Sequence, residues 1–199
     1  MIQPKQFSES IYSMKGISKK TIEDHLKLYV GYVNKYNEIT EKLKTLTDED
    51  YSKANQVFST VRSLKTELSF AWGGIVNHEI YFNHLGGAGG TASSKLLPQI
   101  EKDFGSFEMY KKDMKASAMS ARGWVWTIWN FREQKLMNLI GDSQNTYAFW
   151  WARPLIALDT YEHAYFSDYG INRGQYIDAF IENLNWKVIE KTFDESINK

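Results

Sequence analysis

Asp159-Thr160-Tyr161-Glu162-His163 sets an aspartate and an imidazole four positions apart, directly after the apolar run Leu155-Ile156-Ala157-Leu158. Asp159 therefore stands at the end of a strand and His163 at the start of the next helix, a place where a carboxylate and an imidazole can converge. A bare D-x-x-x-H pattern is common, and the other histidines decide its meaning. The sequence contains four in all. His25 lies three residues after Ile22 and four before Tyr29, and His78 lies three after Ile75 and four before Phe82, so each extends an apolar helical stripe. Two imidazoles on facing stripes can share a metal or satisfy separate core hydrogen bonds. Taken with Asp159 and His163 they make three imidazoles and one carboxylate, a donor set that suits Fe, Mn or Zn and leaves room for a solvent ligand. His84, beside a glycine-rich stretch, reads as a surface or loop residue.

Other chemistry is narrowly bounded. With no cysteine, the chain has no disulfide, zinc-thiolate site, Fe–S ligation or thiol nucleophile. The 24 Lys+Arg cancel the 24 Asp+Glu, so no global field attracts nucleic acid and any electrostatic attraction is local. The start, Met1-Ile2-Gln3-Pro4-Lys5, lacks the basic and apolar segments of a secretory signal, and no apolar run approaches the roughly 18 residues that span a bilayer. The expectation is a cytoplasmic protein with neither a membrane nor a nucleic-acid partner. At 199 residues, 43% hydrophobic and 24% charged, the chain is long and apolar enough for one generous domain or two small ones.

The elements that must position these groups follow from periodicity. Ile22, Leu26, Tyr29, Val33, Tyr36, Ile39 and Leu43 recur at spacings of three and four, which predicts a helix over 18–46 with Ser18 as N-cap. Thr47-x-x-Asp50 resembles a capping box and predicts a second helix carrying Tyr51, Ala54, Val57, Phe58, Val61, Leu64, Leu68, Ala71 and Ile75 on one face. The two form an antiparallel hairpin. Leu85-Gly86-Gly87-Ala88-Gly89-Gly90-Thr91-Ala92-Ser93-Ser94 then marks a boundary, dividing a helical domain over 1–85 from a domain over 91–199 with a hinge at 86–90. A short helix over 95–100 tolerates Pro98 in its first turn, and Ser106 caps a helix through Ala121. Gly123-Trp124-Val125-Trp126-Thr127-Ile128-Trp129 and 135–140 read as strands about a polar turn, 155–158 as a buried third strand, and helices resume near Glu162, at 175–184 and at 186–192. The fold class is α+β, a helical hairpin followed by an α/β domain with a three-stranded antiparallel sheet.

Several blocks together resemble the iron/manganese superoxide dismutases, from about Ile17 to Phe193. They are Ile17-Ser18-x-x-Thr21-Ile22-Glu23-x-His25, Asn77-His78-x-x-Tyr81-Phe82, Phe104-Gly105-Ser106-Phe107, Gly123-Trp124-Val125-Trp126, Asp159-x-x-Glu162-His163-Ala164-Tyr165-Phe166-x-Asp168-Tyr169 and Asn185-Trp186. The resemblance implies superoxide as substrate, and one Mn or Fe ion per subunit held by His25, His78, Asp159 and His163 with water or hydroxide as the remaining ligand. It implies a homodimer or a dimer of dimers in which the Glu162 carboxylate accepts a hydrogen bond from a metal-ligating histidine of the other subunit. It also implies an aromatic wall of Trp124, Trp126 and Tyr161, of which each tryptophan equally suits ordinary core packing. Arg173 matches a basic residue near the substrate funnel and equally suits a surface salt bridge. In the family a glutamine hydrogen-bonds the metal-bound solvent; iron-preferring members tend to place it at the position of Gly74, manganese members on the sheet. Gly74 and Gln144 here lean towards manganese. A catalytically silent homologue kept for assembly, or a metalloenzyme with another redox or hydrolytic activity, are the alternatives.

The sequence departs from the family at the gateway. His25-Leu26-Lys27-Leu28-Tyr29-Val30-Gly31-Tyr32-Val33 has no further histidine, and its tyrosine stands seven rather than eight residues after the ligand. Tyr32 is favoured as the gateway, with Tyr29 as the other route. Phe166 occupies the place of the partner-subunit tyrosine, and Phe82 and Tyr161 stand at usual tryptophan positions. Trp150 and Trp151 read as loop or interface packing.

Overall fold

The computed structural model describes residues 1–92, 95–146 and 150–198. After a short 3-10 turn at Glu9–Ser13, helix α1 runs over Lys19–Lys44, with the Ser18 side chain accepting from the Thr21 N–H at 3.1 Å. That bond satisfies one of the N-terminal donors that no helical carbonyl can reach. The stripe Ile22, His25, Tyr29, Val33 and Ile39 is buried along it.

The second helix departs from the sequence expectation. Thr47 and Asp50 do form a reciprocal capping box, but it opens only a single turn, α2, at Asp48–Ser52. The Asn55 side-chain oxygen then accepts from the N–H groups of Val57 and Phe58 at 3.0 and 2.9 Å, folding the chain into a turn. Ser59 starts the long helix α3, Thr60–Asn83, by accepting from the Arg62 N–H at 3.1 Å. Polar side chains that bond their own backbone thus outcompete a helical apolar spacing. The cost is visible at Val57 and Phe58, which are 84% and 80% exposed instead of facing the hairpin interior. From Ala71 to Phe82 the buried stripe resumes and packs α3 against α1.

The glycine-rich connector is docked on the molecule. Gly87 and Gly89 donate to the carbonyls of Asn183 and Leu184 at 3.0 and 3.2 Å. A Cβ at Gly87 would fall 2.4 Å from the Leu184 carbonyl oxygen, so this approach requires glycine. Ser93 and Ser94, the end of that stretch, lie outside the described residues. Helix α4, Leu96–Phe104, carries Pro98 in its first turn, and α5, Phe107–Ser120, starts from the Ser106 cap.

Strands β1 (Trp124–Asn130), β2 (Lys135–Gly141) and β3 (Ala152–Asp159) form one antiparallel sheet in the order β2-β1-β3. The central β1 is buried from Trp124 to Trp129, with α5 packed on it, which explains an apolar run without polar alternation. Its register sets Trp124 opposite both Gly141 and Asp159. A 3-10 turn at Glu162–Ala164, then α6 (Phe166–Tyr169), α7 (Arg173–Glu182) and α8 (Trp186–Ile197), complete the chain. Among the described residues no helix is long and apolar enough to cross a membrane.

His84 is a second correction: it is not on the surface but 2% exposed at the end of α3. Its Nε2 accepts from the Ala157 N–H at 3.0 Å. Strand β3 has β1 on one side only, so the donors on its other side need partners from elsewhere, and this imidazole supplies one.

Candidate metal centre

Each of the four expected ligands is delivered by a different element. His25 and His78 come from the facing stripes of α1 and α3, Asp159 from the last position of β3, and His163 from the turn that follows it. The Asp159 side chain is oriented locally, since its Oδ1 accepts from the Tyr161 N–H at 2.8 Å. That leaves Oδ2 facing the imidazoles. His25 Nε2 and His163 Nε2 both lie 3.1 Å from it and His78 Nε2 lies 3.6 Å away. The four donor atoms all fall within 4.8 Å of one another. For metal bonds of about 2.1 Å, donors on opposite sides of one ion stand roughly 4.2 Å apart, so shifts of a few tenths of an ångström let a single ion reach all four.

Protonation states agree with this fit. The His78 ring donates through Nδ1 to the Gly74 carbonyl at 2.6 Å, which fixes the tautomer and leaves Nε2 a buried lone pair with no protein partner. Burial pushes the His78 imidazole down to about 3, and burial also lowers His25, so both are neutral ligands at neutral pH. His163 is buried less deeply, and its bond to Asp159 outweighs burial and raises it. Burial opposes the charge on Asp159, but hydrogen bonds from His163 and His25 prevail and hold its carboxyl below the usual range. A fully buried carboxylate beside two imidazoles that burial keeps neutral is a site that a cation completes.

Around the ligands, aromatic rings exclude water. The Trp124 ring meets His78 edge to face at 5.2 Å, Tyr161 stacks on His163 at 5.5 Å, and Tyr81 and Phe82 lie against His25 at 4.9 and 5.1 Å. Burial pushes the Tyr161 phenol up to about 12. Trp126 sits behind this wall, donating from its indole to Asn77 Oδ1 at 3.0 Å.

Gln144 is buried in the β2–β3 connection, and its orientation follows from its neighbours. The Trp124 indole N–H can only donate, so Gln144 Oε1 accepts it at 3.0 Å and the amide NH2 faces Tyr32, donating to the hydroxyl at 3.0 Å. The Tyr32 hydroxyl thereby accepts from Gln144 and keeps its own proton to donate elsewhere. Its ring lies 5.4 Å from His78, and burial raises its phenol. Tyr29 is engaged differently, donating to Glu79 Oε1 at 3.1 Å and accepting from the Lys5 N–H at 2.9 Å. The glycine pair of α3 permits the close approach of this loop: a Cβ at Gly73 would fall 2.0 Å from the Gln144 carbonyl oxygen, and one at Gly74 would fall 2.7 Å from the Tyr32 ring.

Two further expected residues sit apart from the ligand cluster. Arg173 donates to the carbonyls of Ala121 and Ala118 at 2.8 and 3.4 Å and to the Tyr165 hydroxyl at 3.2 Å, closing the C-terminal end of α5. Glu162 is exposed, beside a His163 side chain that is itself 27% exposed. The residues that sequence reasoning gave no role are Asn77 and Tyr176. Asn77 joins Trp126 to the Gln144 backbone, donating to that carbonyl at 3.1 Å, and Tyr176 donates to the Asp159 carbonyl at 2.9 Å. A polar residue inside the apolar stripe of α3 was the signal for Asn77; nothing in the sequence distinguished Tyr176 from other core aromatics.

Comparison with known proteins covers both halves of the chain. Residues 15–86 match the family description "Iron/manganese superoxide dismutases, alpha-hairpin domain" and residues 92–192 match "Iron/manganese superoxide dismutases, C-terminal domain". A protein of Aquifex aeolicus (strain VF5) named "Superoxide dismutase [Fe]" is 41% identical over 198 residues, covering 98% of this chain and 92% of that protein. One of the same name from Aquifex pyrophilus is 42% identical, covering 93% and 88%. "Superoxide dismutase [Mn] 1" of Halobacterium salinarum (strain ATCC 700922 / JCM 11081 / NRC-1) is 30% identical, covering 85% and 82%.

Proposed function

The chain belongs to the iron/manganese superoxide dismutase family, and from that membership we propose that it converts two superoxide anions and two protons into dioxygen and hydrogen peroxide. The observation that carries the reading is the convergence of three imidazole Nε2 atoms on one buried carboxylate oxygen. His25, His78, Asp159 and His163 would hold one Mn or Fe ion per subunit. Bound there, such an ion supplies a one-electron couple that takes an electron from one superoxide and gives it to the next.

The surrounding side chains manage protons and access. Forming peroxide needs protons delivered into a buried site, and Tyr32 Oη holds one that its bond from Gln144 leaves free. Its raised phenol keeps that proton in place at neutral pH. Gln144 in turn is fixed by Trp124 and Asn77, so its amide orientation is preset rather than reorganised during turnover. We assign the gateway role to Tyr32. Arg173 adds a local cation that draws the anionic substrate towards a molecule of zero net charge. The exposed Glu162 carboxylate is free to accept from a ligand histidine of a second copy, which makes a homodimer the functional unit, alone or paired into a dimer of dimers. Gly74 and Gln144 lean the reading towards manganese because they match the family's manganese-type placement of the glutamine.

The test is to purify the protein, measure its metal, and follow superoxide loss in the presence of a competing superoxide indicator. Bound Mn or Fe with dismutation is the expected result. No transition metal would support a silent homologue, and bound metal without dismutation would support another redox activity.

A further inference from the structure

The helix that carries His78 and the strand that carries Asp159 are tied together outside the ligand cluster. His84 closes α3 six positions after His78, and its Nε2 accepts from the Ala157 N–H of β3 at 3.0 Å. Ala157 stands two positions before Asp159, so on an extended strand both turn their backbone groups to the same edge, the one that β1 does not cover. At Asp159 that edge is held through Tyr176, whose hydroxyl donates to the Asp159 carbonyl at 2.9 Å and lies 3.3 Å from the Tyr81 hydroxyl of α3.

The strand needs such anchoring because its ladder is interrupted just before the ligand. Thr127 of β1 pairs with Ile156 but Ile128 pairs with Pro154, so Leu155 has no opposite residue. A bulge of this kind breaks the ladder locally and bends the strand, and the His84 bond falls two positions beyond it. The imidazole is itself fixed in place. It is 2% exposed and meets Phe180 edge to face at 5.7 Å, and the His84 carbonyl accepts from the Asn185 N–H at 2.8 Å. Burial pushes the imidazole down to about 3, so at neutral pH the ring is uncharged and Nε2 keeps the lone pair that accepts.

We propose that His84 is a positioning residue for the metal centre, which by tying Ala157 to α3 sets the Asp159 carboxylate against His78. The inference rests on the ligand reading given above. His84 acts through the backbone of β3 and not on the ion.

Three variants test this: His84→Gln, His84→Leu and His84→Ala. The Oε1 atom of a glutamine stands as many bonds from Cα as imidazole Nε2 and so keeps an acceptor for Ala157, whereas leucine and alanine remove it. Each protein is loaded with manganese and mixed with excess chelator, metal release is timed, and hydrogen exchange at the Ala157 amide is read on the same samples. His84→Leu should release metal about tenfold faster, the low end for groups that support metal ligands, with faster exchange at Ala157. His84→Ala should do the same and carries the test where the leucine variant does not fold. His84→Gln should stay near the wild-type rate. Ser59→Ala weakens the other end of the same helix and should leave release unchanged, which separates positioning from a general loss of stability. Release at the wild-type rate from His84→Leu and His84→Ala would overturn the proposal, as would release from His84→Gln or Ser59→Ala as fast as theirs. A wild-type chain that retains no metal would give a different result, overturning the ligand reading and this proposal with it.

Discussion

Tyr32 shows how far one proton can be placed by its neighbours. Because Trp124 can only donate, the Gln144 amide has one orientation, and because of that orientation the Tyr32 hydroxyl accepts. Gln144→Ala should therefore keep the metal but shift its reduction potential and lower dismutation by about tenfold or more, the usual scale for a group hydrogen-bonded around a metal site. A redox titration and a superoxide assay read both, and an unchanged rate would put the tuning group elsewhere. His78→Ala acts earlier, removing a neutral imidazole from a buried carboxylate; metal content measured on the purified variant should fall to background. His84 makes a different prediction. Its folded-state value, pushed down to about 3 by burial, lies below the ordinary 6.5, so between these values the unfolded chain binds the extra proton. Stability is fully present above about pH 6.5 and declines as pH falls through that window, by up to about 1.4 kcal/mol per pH unit from this group. His84→Gln, which can still accept from Ala157, should show a shallower loss of denaturation midpoint between about pH 6.5 and 5.

At the scale of elements, caps decide what apolar spacing leaves open. The spacing from Tyr51 to Ile75 fits one helix, yet Asn55 and Ser59 divide it, because side-chain bonds to the backbone stabilise a turn and a new N-terminus at that point. Ser59 is buried and starts the helix that carries His78. Ser59→Ala should lower stability by about 1 kcal/mol, seen as a fall in thermal midpoint, with metal content unchanged once folded. The stripes bearing His25 and His78, by contrast, were legible from periodicity alone, since both ligands lie on faces that must be buried whatever the partner. The third strand was legible only in part: 155–158 is its fully apolar section, whereas Ala152, Arg153 and Pro154 extend it at the sheet's edge with no apolar pattern to mark them.

At the scale of the whole molecule, the proposed metal ligands collect residues 134 positions apart in sequence, from His25 to Asp159, at 3.1 Å. The proposed subunit boundary falls at the same place. Glu162 is exposed beside the partly exposed His163, and a two-fold contact there would join two metal centres through reciprocal carboxylate to imidazole bonds. Glu162→Ala should raise the dimer dissociation constant by about tenfold or more, since each dimer loses two such charge-assisted bonds. Sedimentation across a concentration series measures it, and an unaltered dimer would exclude Glu162 from the interface.

The sequence by itself determined the donor set and the helical faces that bury it, because residue identity and periodicity are local properties that need no partner. It also determined the sheet's three strands and the capped starts at Ser18 and Ser106. Only the tertiary structure decided where the second helix begins, that His84 is an interior acceptor for an edge strand, and which way Gln144 points. Those outcomes depend on hydrogen bonds between groups distant in sequence, or on competition between a local turn and a longer helix, and composition and spacing carry no record of which bond prevails.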